Sequence, residues 1–169
     1  MQYKMKYIFE KLNETHRNAV IDIYNYYIEN SFAAYSEEKV GYEYFDCFLE
    51  KTKDYPAFAI INKSLSKVIG FCFLKKHHPF LTFKGTAEIT YFILPKDVGK
   101  GLGKTALKLL ESKGKNMGIQ QILASISSLN EQSIAFHKKN GFTECGRFKK
   151  VGIKKGIAFD VIWMQKTIV

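Results

Sequence analysis

Proline and cysteine are both scarce in this chain of 169 residues, with three of each. Cys47, Cys72 and Cys145 stand far apart, at no metal-ligand spacing and in no disulfide framework. That usage fits ordinary buried thiols in a reducing compartment. No apolar run approaches the roughly 20 residues of a membrane span, and the N-terminus lacks the apolar segment of a secretory leader. A cytoplasmic protein is therefore expected. Acidic residues are also in deficit, 16 against 26 Lys and Arg, for a formal charge of +10. The surplus favours anionic partners, whether nucleic acid, headgroups or a phosphorylated cofactor. Zinc-finger spacing, a helix-turn-helix signal and an RNP-like aromatic pattern are all missing, which argues against nucleic acid. The late basic cluster of Lys149, Lys150, Lys154 and Lys155 reads as a solvated hairpin turn.

Aromatic residues are what the chain has in quantity, with 14 Phe and 10 Tyr. Tyr24, Tyr26, Tyr27, Tyr35, Tyr42 and Tyr44 crowd the first half, as at a pocket or a subunit contact. The length is that of one domain, 1–169, and no internal repeat, low-complexity tract or linker divides it.

Periodicity gives the order of elements. Residues 3–10 read as a strand. Asn13 or Thr15 then caps a helix with Val20, Ile21, Tyr24, Tyr27 and Ile28 on one face. Ser36 is expected to cap a second helix carrying Val40, Tyr44, Phe48 and Leu49, stopped by Pro56. Residues 57–61 and Val68–Leu74 read as strands around a polar turn, Asn62–Lys67. His77 and His78 fall in a loop or lid. A long strand is expected from Thr82 to Leu94, ended by Pro95. A glycine-rich turn then opens a helix with Leu102, Ala106, Leu109 and Leu110 on its apolar face, ended by Gly118. A strand at 121–127 and a short helix from Asn130 to Lys139 follow, with Asn140-Gly141 as the stop. Strands at 143–150 and 157–167 flank a turn at Val151–Gly156. The sum is an α+β domain with a mixed central sheet flanked by helices.

The stretch from Glu88 to Leu107 is the most informative. Gly99, Gly101 and Gly103 separate a strand from a helix, so backbone N–H groups at the helix start are open to phosphate oxygens. Lys100 and Lys104 add charge at the rim. The spacing is neither a Walker loop nor the dinucleotide G-x-G-x-x-G.

These residues resemble the acetyl-CoA-binding motif of the GNAT superfamily of N-acetyltransferases, with Gly101 and Gly103 on its glycines. Val98 departs from it, standing where the family usually has Arg or Gln. From about residue 7 to 166 the chain is similar to the phosphinothricin acetyltransferase branch. The segment Ser128–Phe142 follows that branch's pattern, as does the closing run through Gly152, Gly156, Asp160 and Trp163.

The resemblance implies acetyl-CoA as cofactor, no metal, and transfer of an acetyl group to an amine. A small molecule such as an amino acid, phosphinothricin or a methionine sulfoximine analogue is the expected acceptor, with a protein or polyamine amine as the alternative. A CoA-binding protein without turnover is the other reading. The resemblance assigns Glu88 as general base, since an aliphatic ammonium must lose a proton before it attacks. His137 takes the place of a proton donor to the leaving thiolate, or packs beside Phe136. Phe92, Ile93, Leu94, Val98, Gly99, Lys100, Gly101, Leu102, Gly103, Lys104, Asn130 and Ser133 are the cofactor-binding candidates. An amide near Phe92 to Leu94 would steady the thioester oxygen. Asn25, Phe32 and Tyr35 join Glu88 as acceptor-binding candidates. A homodimer with acceptor sites near its interface is also expected.

Overall fold

One seven-stranded sheet organises the protein, in the order β1-β2-β3-β4-β5-β7-β6. The structure is a computed structural model that describes residues 6–168. The strands are β1 Tyr7–Lys11, β2 Ala57–Asn62, β3 Lys67–Lys76, β4 Thr86–Ile93, β5 Gln121–Ser127, β6 Thr143–Lys154 and β7 Ile157–Thr167. The helices are α1 Arg17–Asn30, α2 Phe45–Thr52, α3 Leu102–Asn116 and α4 Glu131–Lys139. Only β4 and β5 run parallel, while every other neighbouring pair is antiparallel. This is the α+β mixed sheet, and the element order read from the sequence, that periodicity led us to expect.

Each face of the sheet has its own core. One buries Val20, Ile21 and Ile23 of α1 and Phe45 and Phe48 of α2 against Phe71 and Phe73 of β3. The other buries Leu102, Ala106, Leu107 and Leu110 of α3 against Leu74, Ile89 and Ile122. A fully buried side chain such as Phe71 contributes roughly 1.5–3 kcal/mol.

Several expectations need correcting. Residues 3–5 of the first strand lie outside the described residues, and β1 begins at Tyr7. No helix starts at Ser36, and Val40 lies outside α2, which begins at Phe45 after a short turn at Tyr42–Tyr44. The reason is tertiary: Asn25 on α1 holds both backbone groups of Val40, at 2.9 Å each. Helix α2 ends at Thr52, whose hydroxyl bonds the Phe48 carbonyl at 2.7 Å, before Pro56 is reached. On α3 the buried stripe uses Leu107 in place of Leu109. Strand β4 starts at Thr86, because Leu81–Phe83 form a helical turn. The last hairpin is tighter than expected, turning at Lys155 and Gly156 with φ of 50° and 73°. Such a turn matches the twist of its strands.

Candidate active site

Strands β4 and β5 share three rungs, Thr86 with Gln121, Ala87 with Ile122 and Glu88 with Leu123. Beyond Glu88 the two strands are no longer paired, although β4 continues to Ile93 and β5 to Ser127. The sheet therefore opens from its interior, and Glu88 stands where the opening begins.

The ladder decides which backbone groups face the gap. The Leu94 amide donates to the Ile69 carbonyl at 2.8 Å. Hydrogen-bonded pairs alternate along an antiparallel ladder, so the Phe92 amide also faces β3. The amides of Tyr91 and Ile93 face the opening. Of the range expected to steady a thioester oxygen, only Ile93 turns its N–H inward, while Phe92 and Leu94 are committed to β3. The Ile93 carbonyl is taken by the Tyr27 hydroxyl. Burial raises that phenol to about 12, so it remains a donor.

The glycine turn sits beside the open end of β4. Pro95–Asp97 form one helical turn, and Gly99 and Gly101 follow with φ of 82° and 80°. A side chain would be strained in that backbone, and a Cβ at either position would point into open space. The Thr105 amide bonds the Gly101 carbonyl at 3.0 Å. Helix geometry leaves the preceding amides, those of Leu102, Gly103 and Lys104, free for an anion. The Lys100 ammonium is held 2.7 Å from Oδ1 of buried Asp97. That carboxylate is the first cause of its raised pKa.

Two adjoining cavities occupy the opening. The one on the α3 and α4 side, of about 230 Å³, is lined by Tyr27, Phe92, Ile93, Val98, Gly103, Asn130 and Ser133. A deeper one of about 100 Å³ reaches Tyr91, Ser125 and His137. Asn130 caps α4, its Oδ1 accepting from the Ser133 amide at 3.2 Å. These features suit the long acyl carrier that the resemblance implies. An open glycine cradle at a helix start answers its phosphates, and unpaired strand amides with a capped helix answer its extended arm.

His137 is buried, with both ring nitrogens engaged. Its Nδ1 lies 2.7 Å from the Ser133 carbonyl and Nε2 meets the Tyr91 hydroxyl. A carbonyl only accepts, so Nδ1 carries the proton and Nε2 receives the tyrosine's. Desolvation lowers the imidazole pKa, partly offset by the Ser133 bond.

On the α1 and α2 face lies a larger cavity of about 500 Å³, walled by Tyr24, Tyr35, Phe73, Phe92 and Trp163, with Glu88 and Lys75 at one side. Glu88 receives the Lys75 ammonium on Oε2, and His77 Nδ1 lies 2.9 Å from Oε1. Tyr35 reaches this cavity and its hydroxyl lies 3.1 Å from Ser125 Oγ. Asn25 and Phe32 do not line it. Asn25 is spent on Val40, while Phe32 packs on Phe159 at 5.8 Å.

The sequence reading overlooked Lys75 and His77 as neighbours of Glu88. Their signal is strand register: Lys75 pairs with Glu88 across the β3–β4 hairpin, and His77 is the next residue on the same face. It also placed Lys154 in a solvated hairpin turn, whereas that side chain is buried, its ammonium donating to the Ser31 and Ala34 carbonyls. Among the described residues no group of three His, Cys, Asp or Glu is placed to hold a metal ion. Nor, among the described residues, is any helix long and apolar enough to cross a membrane.

Comparison with known proteins gives this architecture its family. Residues 11–163 match the family described as acetyltransferase (GNAT) domain, and the chain belongs to it. Within that family it is similar to the L-methionine sulfoximine/L-methionine sulfone acetyltransferase of Pseudomonas paraeruginosa, 29% identical over 86% of each chain. It is also similar to the phosphinothricin N-acetyltransferase of Alcaligenes faecalis, 24% identical over 89% of this chain and 77% of that one. Among solved structures, a GNAT superfamily phosphinothricin acetyltransferase from Sinorhizobium meliloti, in complex with acetyl-CoA, superposes with a TM-score of 0.89. It is 25% identical, covering 97% of this chain and 89% of the other.

Proposed function

We propose that the protein is an acetyl-CoA-dependent N-acetyltransferase whose acceptor is a small amine, an amino acid of the methionine sulfoximine or phosphinothricin type. The observation that carries this reading is the opened sheet, with a glycine-cradled helix start at one end and the Glu88 carboxylate at the other. Further support comes from the relatives that act on such compounds and from the acetyl-CoA complex of a similar fold.

Bound acetyl-CoA supplies the thioester carbonyl. The amides of Leu102, Gly103 and Lys104 would hold its phosphates, and those of Tyr91 and Ile93 would bind its extended arm. The Ile93 N–H is placed to stabilise charge on the carbonyl oxygen. Glu88 takes a proton from the acceptor ammonium, directly or through water, which frees the nitrogen lone pair for attack on the thioester carbon. The C–N bond forms as the C–S bond breaks, and the leaving thiolate takes up the second proton that the nitrogen sheds. The aromatic walls around Tyr35 and Trp163 exclude water from the acceptor's side chain. His137, with both nitrogens occupied, fixes the Tyr91 side chain in this reading.

Two further proposals accompany it. A homodimer is supported by β6, an edge strand that exposes Phe148, Val151 and Ile153. A reducing, cytoplasmic setting is supported by three free cysteines, of which Cys72 is buried as expected while Cys47 and Cys145 are exposed.

The test follows thiol release from acetyl-CoA with methionine sulfoximine, methionine sulfone, phosphinothricin, other amino acids, polyamines and short peptides. We expect one of the amino-acid analogues to turn over and Glu88→Gln to lose roughly 100-fold or more. Turnover confined to polyamines or peptides would refute the acceptor class. Full activity in Glu88→Gln would refute the base.

A further inference from the structure

Glu88 is gripped at both oxygens, but by groups of different kinds. Lys75 approaches Oε2 from β3 on a flexible stem, its side chain about as exposed as that of His77. Ammonium groups are strongly hydrated and mobile, so the acceptor's own ammonium can take that seat. His77 approaches Oε1 from the end of the same strand and is held more firmly. Its ring stands edge-on to Phe83 at 6.0 Å and to Trp163 at 6.1 Å. An ionised carboxylate only accepts, so Nδ1–H donates to Glu88 and the imidazole needs no charge for the bond.

The consequence is geometric. A carboxylate side chain at the mouth of a cavity has rotamers to choose from, and a base must offer its lone pair along one direction. One of the ring's neighbours, Trp163, also walls the acceptor cavity. The same packing that shapes the cavity thus sets the bond that aims the base.

We propose that His77 is the positioning residue for the base. Its Nδ1–H fixes one oxygen of Glu88 and leaves the other for the acceptor ammonium, in exchange with Lys75. The proposal rests on the reading of Glu88 as base. It requires the His77 N–H, while the aromatic bulk of the ring is secondary.

Three variants test it: His77→Phe, which fills the space without an N–H; His77→Asn, which keeps a side-chain N–H near the Nδ1 position; and Glu88→Gln. Each is checked for an unchanged circular dichroism spectrum, then assayed against acetyl-CoA and the acceptor identified by the panel above. A small misplacement of a catalytic group costs roughly 10- to 100-fold in rate. We expect kcat of His77→Phe to fall by that amount with the KM for acetyl-CoA unchanged, and His77→Asn to regain most of the loss. Wild-type kcat in His77→Phe alongside an inactive Glu88→Gln would overturn this proposal and leave the base in place. An equal loss in His77→Phe and His77→Asn would also overturn it, because the N–H would then not be the operative feature. Full activity in Glu88→Gln would instead sink the underlying reading.

Discussion

Tyr91 and His137 lie face to face with ring centroids 5.5 Å apart, and the tyrosine hydroxyl bonds His137 Nε2. The pair joins β4, the strand that opens the sheet, to α4, the helix on the cofactor side of the gap. Burial keeps both groups neutral, raising the phenol well above its usual range and lowering the imidazole below 6.5.

Acid should loosen this joint. A histidine whose folded pKa lies below its unfolded value stabilises the fold fully above the unfolded value. That contribution is lost as pH falls from about 6.5 toward the lower folded value. Thermal midpoints of wild type and His137→Phe should therefore converge between pH 7.5 and pH 5. A gap that stays constant over that range would show that His137 does not titrate with folding.

Gly101→Ala separates backbone strain from ligand contact. The new methyl meets no protein atom within 4 Å, but the residue must keep a φ of 80°. The stability loss should be about 1–2 kcal/mol, the cost of the left-handed region. Acetyl-CoA affinity should fall at least about tenfold, because the methyl stands where phosphate oxygens approach the helix start. Isothermal titration beside a denaturant melt measures both. A stability loss with unaltered affinity would remove the cradle from the cofactor site.

Much of this was legible in the sequence, and the failures share one cause. The order of elements and the glycine turn are local patterns, carried by periodicity and spacing, whereas Glu88 entered through the family resemblance. Ser36 reads as the cap of a helix that takes in Val40, yet the course of residues 31–41 is set by Asn25 on α1 and by Lys154 on β6. Lys75 and His77 join the site through β3–β4 register, and the helical turn at Leu81–Phe83 hides where β4 begins. Asn25 was expected at the acceptor because the resemblance puts the acceptor side on the first helices, but its amide is spent on Val40. Contacts across long sequence separations decide each of these, and no local window contains them.

Lys154 offers a test of that long-range control. Its buried ammonium donates to the carbonyls of Ser31 and Ala34, both at 2.8 Å. Those carbonyls belong to the loop that carries Ala33, Tyr35 and Ser36 into the acceptor cavity. Lys154→Met keeps the length of the stem and leaves two carbonyls without their donor. Stability should drop by about 1–3 kcal/mol. The acceptor KM should rise severalfold, and by more than the acetyl-CoA KM. Equal rises in the two would mean that the loop serves both substrates alike.

Val98 gives the opposite kind of prediction, a gain. Its side chain is 37% exposed and lines the cofactor-side cavity, in the place where the resemblance puts an arginine or glutamine. Lys100 does not stand in freely for that side chain, because its ammonium is paired with Asp97. In the proposed reading the phosphates therefore rest on backbone amides, and these carry no salt-sensitive charge of their own. Val98→Arg would add a planar cation able to bind phosphate through two parallel hydrogen bonds. At such a partly exposed rim the gain should be about 3- to 10-fold in acetyl-CoA affinity at low salt. It should shrink as ionic strength rises, since the screening length falls to about 10 Å at 0.1 M. Titrations of both proteins across a salt series measure the effect. A gain that persists undiminished at high salt would come from packing, and no gain at all would mean that the phosphates lie beyond reach of position 98.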